Sequence, residues 1–517
     1  MPTYLSPGVY VEEVPAGSRP IEGVGTSVAA FVGLAAKGPV NEPTLVSNWT
    51  QFTESFGDFV ESSYLAHSVY GWFLNGGGNC FVVRIAPSSG NGNGTAPKAI
   101  EAPKQAVIGG YRVSSIAKGA NAPKDVQVSV EPASGENAPD DDFKLVVLVD
   151  GKVAETFDNV TTKAGNNNVA TKVKAQSKVI LLEEVSEGSG LTPIAKGQTD
   201  LVEPAPEPVA PSTDSLGAAD YVGDVAKRTG FGGLEAVDEV TMVAVPDLAA
   251  ALENGAIDLE TFKAVQLGMI AHCELMGDRI AILDTPPGLN AQQVHQWRQK
   301  DAGYDSKFAA LYWPWVQVFD PVSGSNKYVP PSGHMAGVWA RSDDTRGVHK
   351  APANEVVRGA VSLQTQITKA EHDLLNPVGI NCIRTFPGRG VRVWGARTLS
   401  SDAEWRYLNV RRLFNYLEES ILMGTQWVVF EPNDHQLWAR IRRTISAFLI
   451  NEWRKGALFG TTADEAFFVK CDDETNPAEG IDAGQVVCQI GIAPVKPAEF
   501  VIFQLSQFSG GTSLVSE

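Results

Sequence analysis

The chain has 517 residues, more than one ordinary domain holds and enough for roughly three at about 150 residues each. Hydrophobic residues make up 43% of it, which allows proper cores. A net charge of −18 sets it against nucleic acid as a partner, because phosphate binding needs clustered Lys and Arg to displace counterions.

The opening MPTYLSPGVY has neither a basic nor an apolar signal region, and no run approaches the 20 or so apolar residues that span a bilayer. A soluble chain with no direct membrane insertion is expected. Within residues 1–20, rich in Pro and Gly, Val9, Tyr10, Val11 and Val14 alternate as a short strand with no adjacent partner. From Ile21 to Ala86 follow strand text (SVAAFVGLA), a helix from Tyr64 to Leu74, the turn NGGGN and a second strand, CFVVRIA.

Composition shifts after Pro87. SSGNGNGTAPK opens a stretch with little helix signal, carrying β-type runs at Asp142–Phe157 and Lys178–Val185 and ending in the linker VEPAPEPVAPS (Val202–Ser212). Residues 87–215 read as an inserted β-rich domain. Beyond it, EVTMVAVPD, the helix FKAVQLGMIAHCELMG, the strand RIAILDTPPG and a helix from Asn290 restore a strand-helix rhythm. Gly- and Pro-rich text from Trp313 to Pro352 leads to a last domain at 360–497, with capping boxes at Ser401/Glu404 and Asn433/Gln436.

Few residues invite chemistry. An Asp ending an apolar strand before TPPG, Asp284, resembles a nucleotide switch segment, and an α/β nucleotide-dependent enzyme centred on it is the alternative function. No G-x-x-x-x-G-K-[ST] loop exists to cradle phosphates, so the turn-forming Pro286 and Pro287 explain the string better. The histidines are dispersed and without paired-ligand spacing. The five cysteines (Cys80, Cys273, Cys382, Cys471, Cys488) are scattered and read as buried hydrophobes, with a metal or disulfide role for Cys471 and Cys488 the less favoured possibility. No catalytic, cofactor or metal residue is expected.

The termini and two late helices say more. Phe500, Val501, Ile502, Phe503 and Leu505 form an apolar strand at the far end, which would aggregate unless something pairs it. One amphipathic helix aligns Tyr407, Val410, Phe414, Leu417 and Ile421, leaving Arg411 and Arg412 off the stripe. The next turns Leu437, Trp438, Ile441, Ile445, Phe448 and Leu449 inward. Its span, Gln436–Lys455, carries Arg440, Arg442 and Arg443, a local basic excess suited either to an acidic partner or to a merely solvated face.

The strings INCIRTFPGRGVRVWGARTLSSDAEWRYLNVRR (Ile380–Arg412) and YLSPGVYVEEV (Tyr4–Val14) together resemble the contractile tail sheath family. The resemblance implies a multidomain α+β and α/β fold: an α/β sheath domain (21–86 plus 216–359), an inserted outer domain (87–215), an inner C-terminal domain (360–497), and strand arms at 1–20 and 498–517. It implies a structural, non-enzymatic subunit of a phage tail or phage-like particle, assembled in the bacterial cytoplasm. Its partners would be itself as a helical homopolymer, an inner tube protein, and baseplate and terminator or cap proteins. The arms would pair with neighbouring subunits, and Arg411, Arg412, Arg440, Arg442 and Arg443 would face the tube.

Overall fold

The computed structural model describes residues 20–86, 105–116, 125–134, 139, 142–149, 151–163, 165, 167–184, 194–201, 216–321 and 323–505. They fall into two compact units, Met1–Ser88 with Ala210–Glu517, and Ser89–Val209. The expected arm residues Val9, Tyr10, Val11 and Val14 lie outside the described residues.

The larger unit opens with β1 (Ala29–Gly33), β2 (Thr44–Val46), α1 (Trp49–Phe56), α2 (Leu65–Leu74) and β3 (Cys80–Arg84). The smaller unit then supplies β4 (Gln105–Ile108), β5 (Tyr111–Ser115), β6 (Val126–Pro132), β7 (Phe143–Val149), β8 (Lys152–Val160), α3 (Val169–Gln176), β9 (Ile180–Glu184) and β10 (Gly197–Asp200). These strands form two antiparallel sheets, β10-β6-β7-β8 and β4-β5-β9. Val128, Leu145, Tyr111, Ile180 and Val173 fill its own core.

The larger unit resumes with α4 (Ala218–Val222), β11 (Met242–Ala244), α5 (Asp247–Glu253), α6 (Leu259–Met276), β12 (Ile280–Asp284), α7 (Ala291–Gln296) and β13 (Ala309–Trp313). Next come β14 (Val316–Asp320), β15 (Ser325–Val329), α8 (Ser332–Arg346), β16 (Ser362–Leu363), α9 (Lys369–Leu375), β17 (Ile380–Phe386) and β18 (Gly390–Val393). The chain closes with α10 (Leu408–Gly424), α11 (His435–Arg454), β19 (Phe467–Lys470) and β20 (Gln489–Ile492).

Eight of these strands make one sheet in the order β18-β17-β13-β12-β11-β1-β3-β2, parallel except for its two edge strands. Alternate residues feed opposite faces. Ala29, Phe31, Ile280, Ile282, Ala310 and Tyr312 join one core, covered by α1, α2 and α8. Ala30, Val32, Ala281, Leu283, Ala309 and Leu311 join the other, covered by α4, α6 and α7. With both faces buried, these strands read as unbroken apolar runs instead of alternating ones.

Three expectations are corrected. The Gly- and Pro-rich text after Trp313 contains β14, β15 and the whole of α8. Its glycines are packing devices: a Cβ on Gly333 would lie 2.4 Å from Ser68 Cα, and one on Gly337 would lie 2.6 Å from Trp72 O, so α8 and α2 pack backbone to backbone. The sheet does not stop at 359, since β17 and β18 belong to it. The capping boxes shift as well. Helix α10 begins at Leu408, and Ser401 instead bonds Asp305 through both its N and Oγ. Asp434, not Asn433, caps α11, accepting from Leu437 N at 2.8 Å.

Candidate functional site

In an open α/β sheet, ligands enter at the carboxyl ends of the strands where strand order reverses. Here that point lies between β1 and β11, because the chain passes from β1 to β3 on one side and then to β11 on the other. Asp247 fills it. Its buried carboxylate accepts hydrogen bonds from Leu34 N, Tyr64 N, Leu65 N and Ser63 Oγ, tying the end of β1 to the start of α2. Burial lifts its pKa to about 6 against the pull of those donors.

Asp284, the residue of the alternative enzyme reading, does similar work at the end of β12. Its Oδ1 accepts from Ser332 N at 2.8 Å, satisfying one of the unpaired amides at the N-terminus of α8. Burial pushes its carboxyl up to about 7. The adjoining cavity holds about 10 Å³, the space of one water. Among the described residues no three His, Cys, Asp or Glu side chains converge as a metal site would. No described helix is long and apolar enough to cross a membrane.

The terminal segments are anchored on α10. Ile21 is buried against Gly424, where an added Cβ would lie 2.6 Å from the Ile21 side chain, and Val24 N donates to Ser420 Oγ at 3.1 Å. At the other end, Glu499 is held by Arg397, by Asn376 Nδ2 at 2.8 Å and by Tyr407 Oη at 3.2 Å. Beyond this anchor, Phe500, Val501, Ile502, Phe503 and Leu505 run exposed, from 66% at Val501 to 97% at Leu505, and enter no sheet of the described residues. Nearby, β19 and β20 pair only with each other among the described residues, which leaves both outer edges of a four-residue ribbon open.

The five arginines expected on one surface separate into two groups. Arg411 and Arg412 are 2% and 5% exposed, so they are internal and cannot serve as a tube contact in this conformation. Arg412 forms an ion pair with buried Asp343, donates to Thr26 O at 3.1 Å and lies over the Trp339 ring. Arg411 donates to Asn415 Oδ1 and Glu418 Oε1 and lies over the Trp405 and Phe308 rings. The helix is buried on more than its apolar stripe, which the simple periodicity of the sequence could not reveal. On α11, Arg443 is exposed and Arg440 half-buried above the Trp427 ring, with Glu431 at 3.6 Å. Arg442 donates to Cys471 O. The stripe Leu437, Trp438, Ile441, Ile445, Phe448 and Leu449 is buried as its spacing required.

Comparison with known proteins places this geometry. The phage tail sheath protein central domain matches residues 215–399, and the phage tail sheath C-terminal domain matches residues 400–508. The tail sheath protein of Vibrio phage KVP40 is 24% identical over 390 residues, covering 69% of this chain and about half, 54%, of the relative. That of Burkholderia phage BcepMu is 23% identical over 520 residues, covering 96% of this chain and 95% of the relative. The fold resembles the sheath complex of an extracellular contractile injection system, PVC, in its contracted state, with a TM-score of 0.58, 23% identity, and 98% and 99% of the two chains covered. Two sheath domains laid end to end from residue 215 to 508, on a fold shared along nearly the whole chain, give one conclusion: this chain belongs to the phage tail sheath protein family.

Proposed function

We propose that this chain is the repeating subunit of a contractile sheath, polymerising helically around an inner tube protein and contracting to drive that tube through a target envelope. One observation carries the reading: an exposed apolar segment, Phe500–Leu505, leaves a firm anchor at Glu499 in a subunit whose β19–β20 ribbon has open edges. Such a segment is a strand donor and such a ribbon an acceptor. Main-chain hydrogen bonds between them move with the arm and so hold while subunits rotate. Val9, Tyr10, Val11 and Val14 are the second donor in this proposal. A structural neighbour solved in its contracted state supports the contractile part.

Within the same proposal, the β-rich unit Ser89–Val209 is an outer insertion, and Arg440, Arg442 and Arg443 on α11 face the tube. A head-to-tail polymer has two open ends, so baseplate and terminator or cap proteins are its further partners. Assembly belongs to the bacterial cytoplasm, as part of a phage tail or phage-tail-like particle.

Negative-stain microscopy of the full chain beside a version ending at Glu499 tests the reading. The full chain forms tubes above a threshold concentration. The shortened chain keeps its melting transition and stays as single subunits. Tubes in normal numbers from the shortened chain would remove the arm from the assembly mechanism.

A further inference from the structure

Cys471 and Cys488 are distant in sequence but meet at the mouth of the β19–β20 ribbon. The antiparallel register pairs Phe467 with Ile492 and ends with Lys470 opposite Gln489. Continued by one residue, it sets Cys471 directly across from Cys488. Opposed residues in an antiparallel pair have Cα atoms about 4.5 to 5.5 Å apart, inside the roughly 4.4 to 6.8 Å that a disulfide requires. The two thiols are close enough for each to shift the other's ionisation. Cys80, Cys273 and Cys382 are instead buried in the cores of the large sheet.

The surroundings hold this geometry. Asn476 donates to Cys471 Sγ at 3.7 Å and to Val487 O at 3.0 Å, and accepts from Val487 N at 2.6 Å, so one side chain fixes both ends of the loop Asp472–Val487. The Arg442 guanidinium, bonded to Cys471 O, brings positive charge to both sulfurs and favours their thiolates. Cys471 is buried and Cys488 half-buried, so an outside reagent reaches Cys488 first.

We propose that Cys471 and Cys488 form a redox couple that closes to an intramolecular disulfide under oxidising conditions, stapling the base of the ribbon. The oxidant is a small-molecule disulfide such as oxidised glutathione. The Cys488 thiolate attacks one of its sulfurs and expels one thiolate, leaving a mixed disulfide. The Cys471 thiolate then attacks Cys488 Sγ and expels the second. Two protein thiols lose two protons and two electrons, one S–S bond forms, and the small disulfide is reduced to two thiols. Burial raises the pKa of both thiols, Cys488 to about 12. Closure is therefore slow near neutrality and speeds up about tenfold per pH unit, as the thiolate fraction does.

The staple concerns a single subunit and stands whether or not the chain forms sheaths. Full-length protein incubated with oxidised glutathione at pH 8, then denatured and titrated with a thiol reagent, loses two of its five thiols and regains them with dithiothreitol. Peptide mapping recovers the Cys471 and Cys488 peptides joined. Cys471→Ala, under the same treatment, stops at a glutathione adduct on Cys488. Full retention of all five thiols in the folded wild type overturns the proposal, as does a glutathione adduct that persists on Cys488 there or a bond linking two chains. Because the wild type alone decides the outcome, a misfolded variant does not blur it.

Discussion

Arg397 grips Glu499 with two hydrogen bonds, Nε to Oε1 at 2.9 Å and Nη2 to Oε2 at 2.6 Å. This fork geometry fixes direction as well as distance. It therefore sets the angle at which the exposed tail leaves the subunit. Burial raises the Glu499 pKa, but hydrogen bonds from Arg397 and Asn376 more than reverse this and leave it below the ordinary glutamate range. A depressed carboxyl contributes stability above its unfolded pKa and loses it as pH falls through the folded value. The grip should persist near neutrality and open only in acid.

Glu499→Gln should therefore keep the subunit folded while loosening the tail. A hydrogen bond to a charged group contributes about 1.5 to 3 kcal/mol, less here because the carboxylate is part-exposed. Limited proteolysis near Val495 should accelerate and tube counts should fall, with only a small drop in melting temperature. An unchanged cleavage rate would show that the angle is set elsewhere.

Arg412 and Arg443 should behave oppositely, although both sit on late helices. Arg412→Ala strands Asp343 as an unpaired buried charge, which costs about 3 to 5 kcal/mol, and denaturant unfolding should register the loss. Reversing Arg440, Arg442 and Arg443 to Glu should disturb stability far less, while particles filled by a tube become scarce. Normal numbers of filled particles would remove this surface from the tube contact.

Gly333→Ala should damage the α2–α8 contact, since the new Cβ meets Ser68 backbone at 2.4 Å. Overpacking of this kind costs about 1 to 3 kcal/mol. Gly78→Ala, with open space around it, is the control, and equal melting temperatures for the two variants would count against tight packing at this crossing.

Asp284→Asn keeps an acceptor for Ser332 N and removes a titrating group. The folded carboxyl binds its proton up to about pH 7, against about 3.9 when unfolded. Its contribution is thus present below about pH 4 and is lost as pH rises toward 7. The Asn variant should gain on the wild type across that window, with assembly intact. Melting curves at several pH values would expose a failure of this trend.

The apolar strands were legible in the sequence because each must bury both faces, and Ala29–Gly33 or Ile280–Asp284 can do little else. The anchor at Glu499 was not, because Arg397 lies 102 residues away. Helix α8 was hidden for a local reason: Gly333 and Gly337, which punctuate most chains, here let two backbones touch. Arg411 and Arg412 were misplaced because a helix stripe predicts burial from one packing face, whereas α10 is enclosed on several. The exposed apolar tail was visible from composition alone, since nothing adjacent could pair with it.

Helix α10 has a further consequence. Ile21 rests on Gly424 at its last residue, and Glu499 meets Tyr407 immediately before its first. Its 17 residues, at about 1.5 Å each, make a strut of roughly 25 Å. Whatever directions the two tails take outside the subunit, this strut keeps their points of departure a constant distance apart, so the subunit carries its own gauge for spacing whatever it joins.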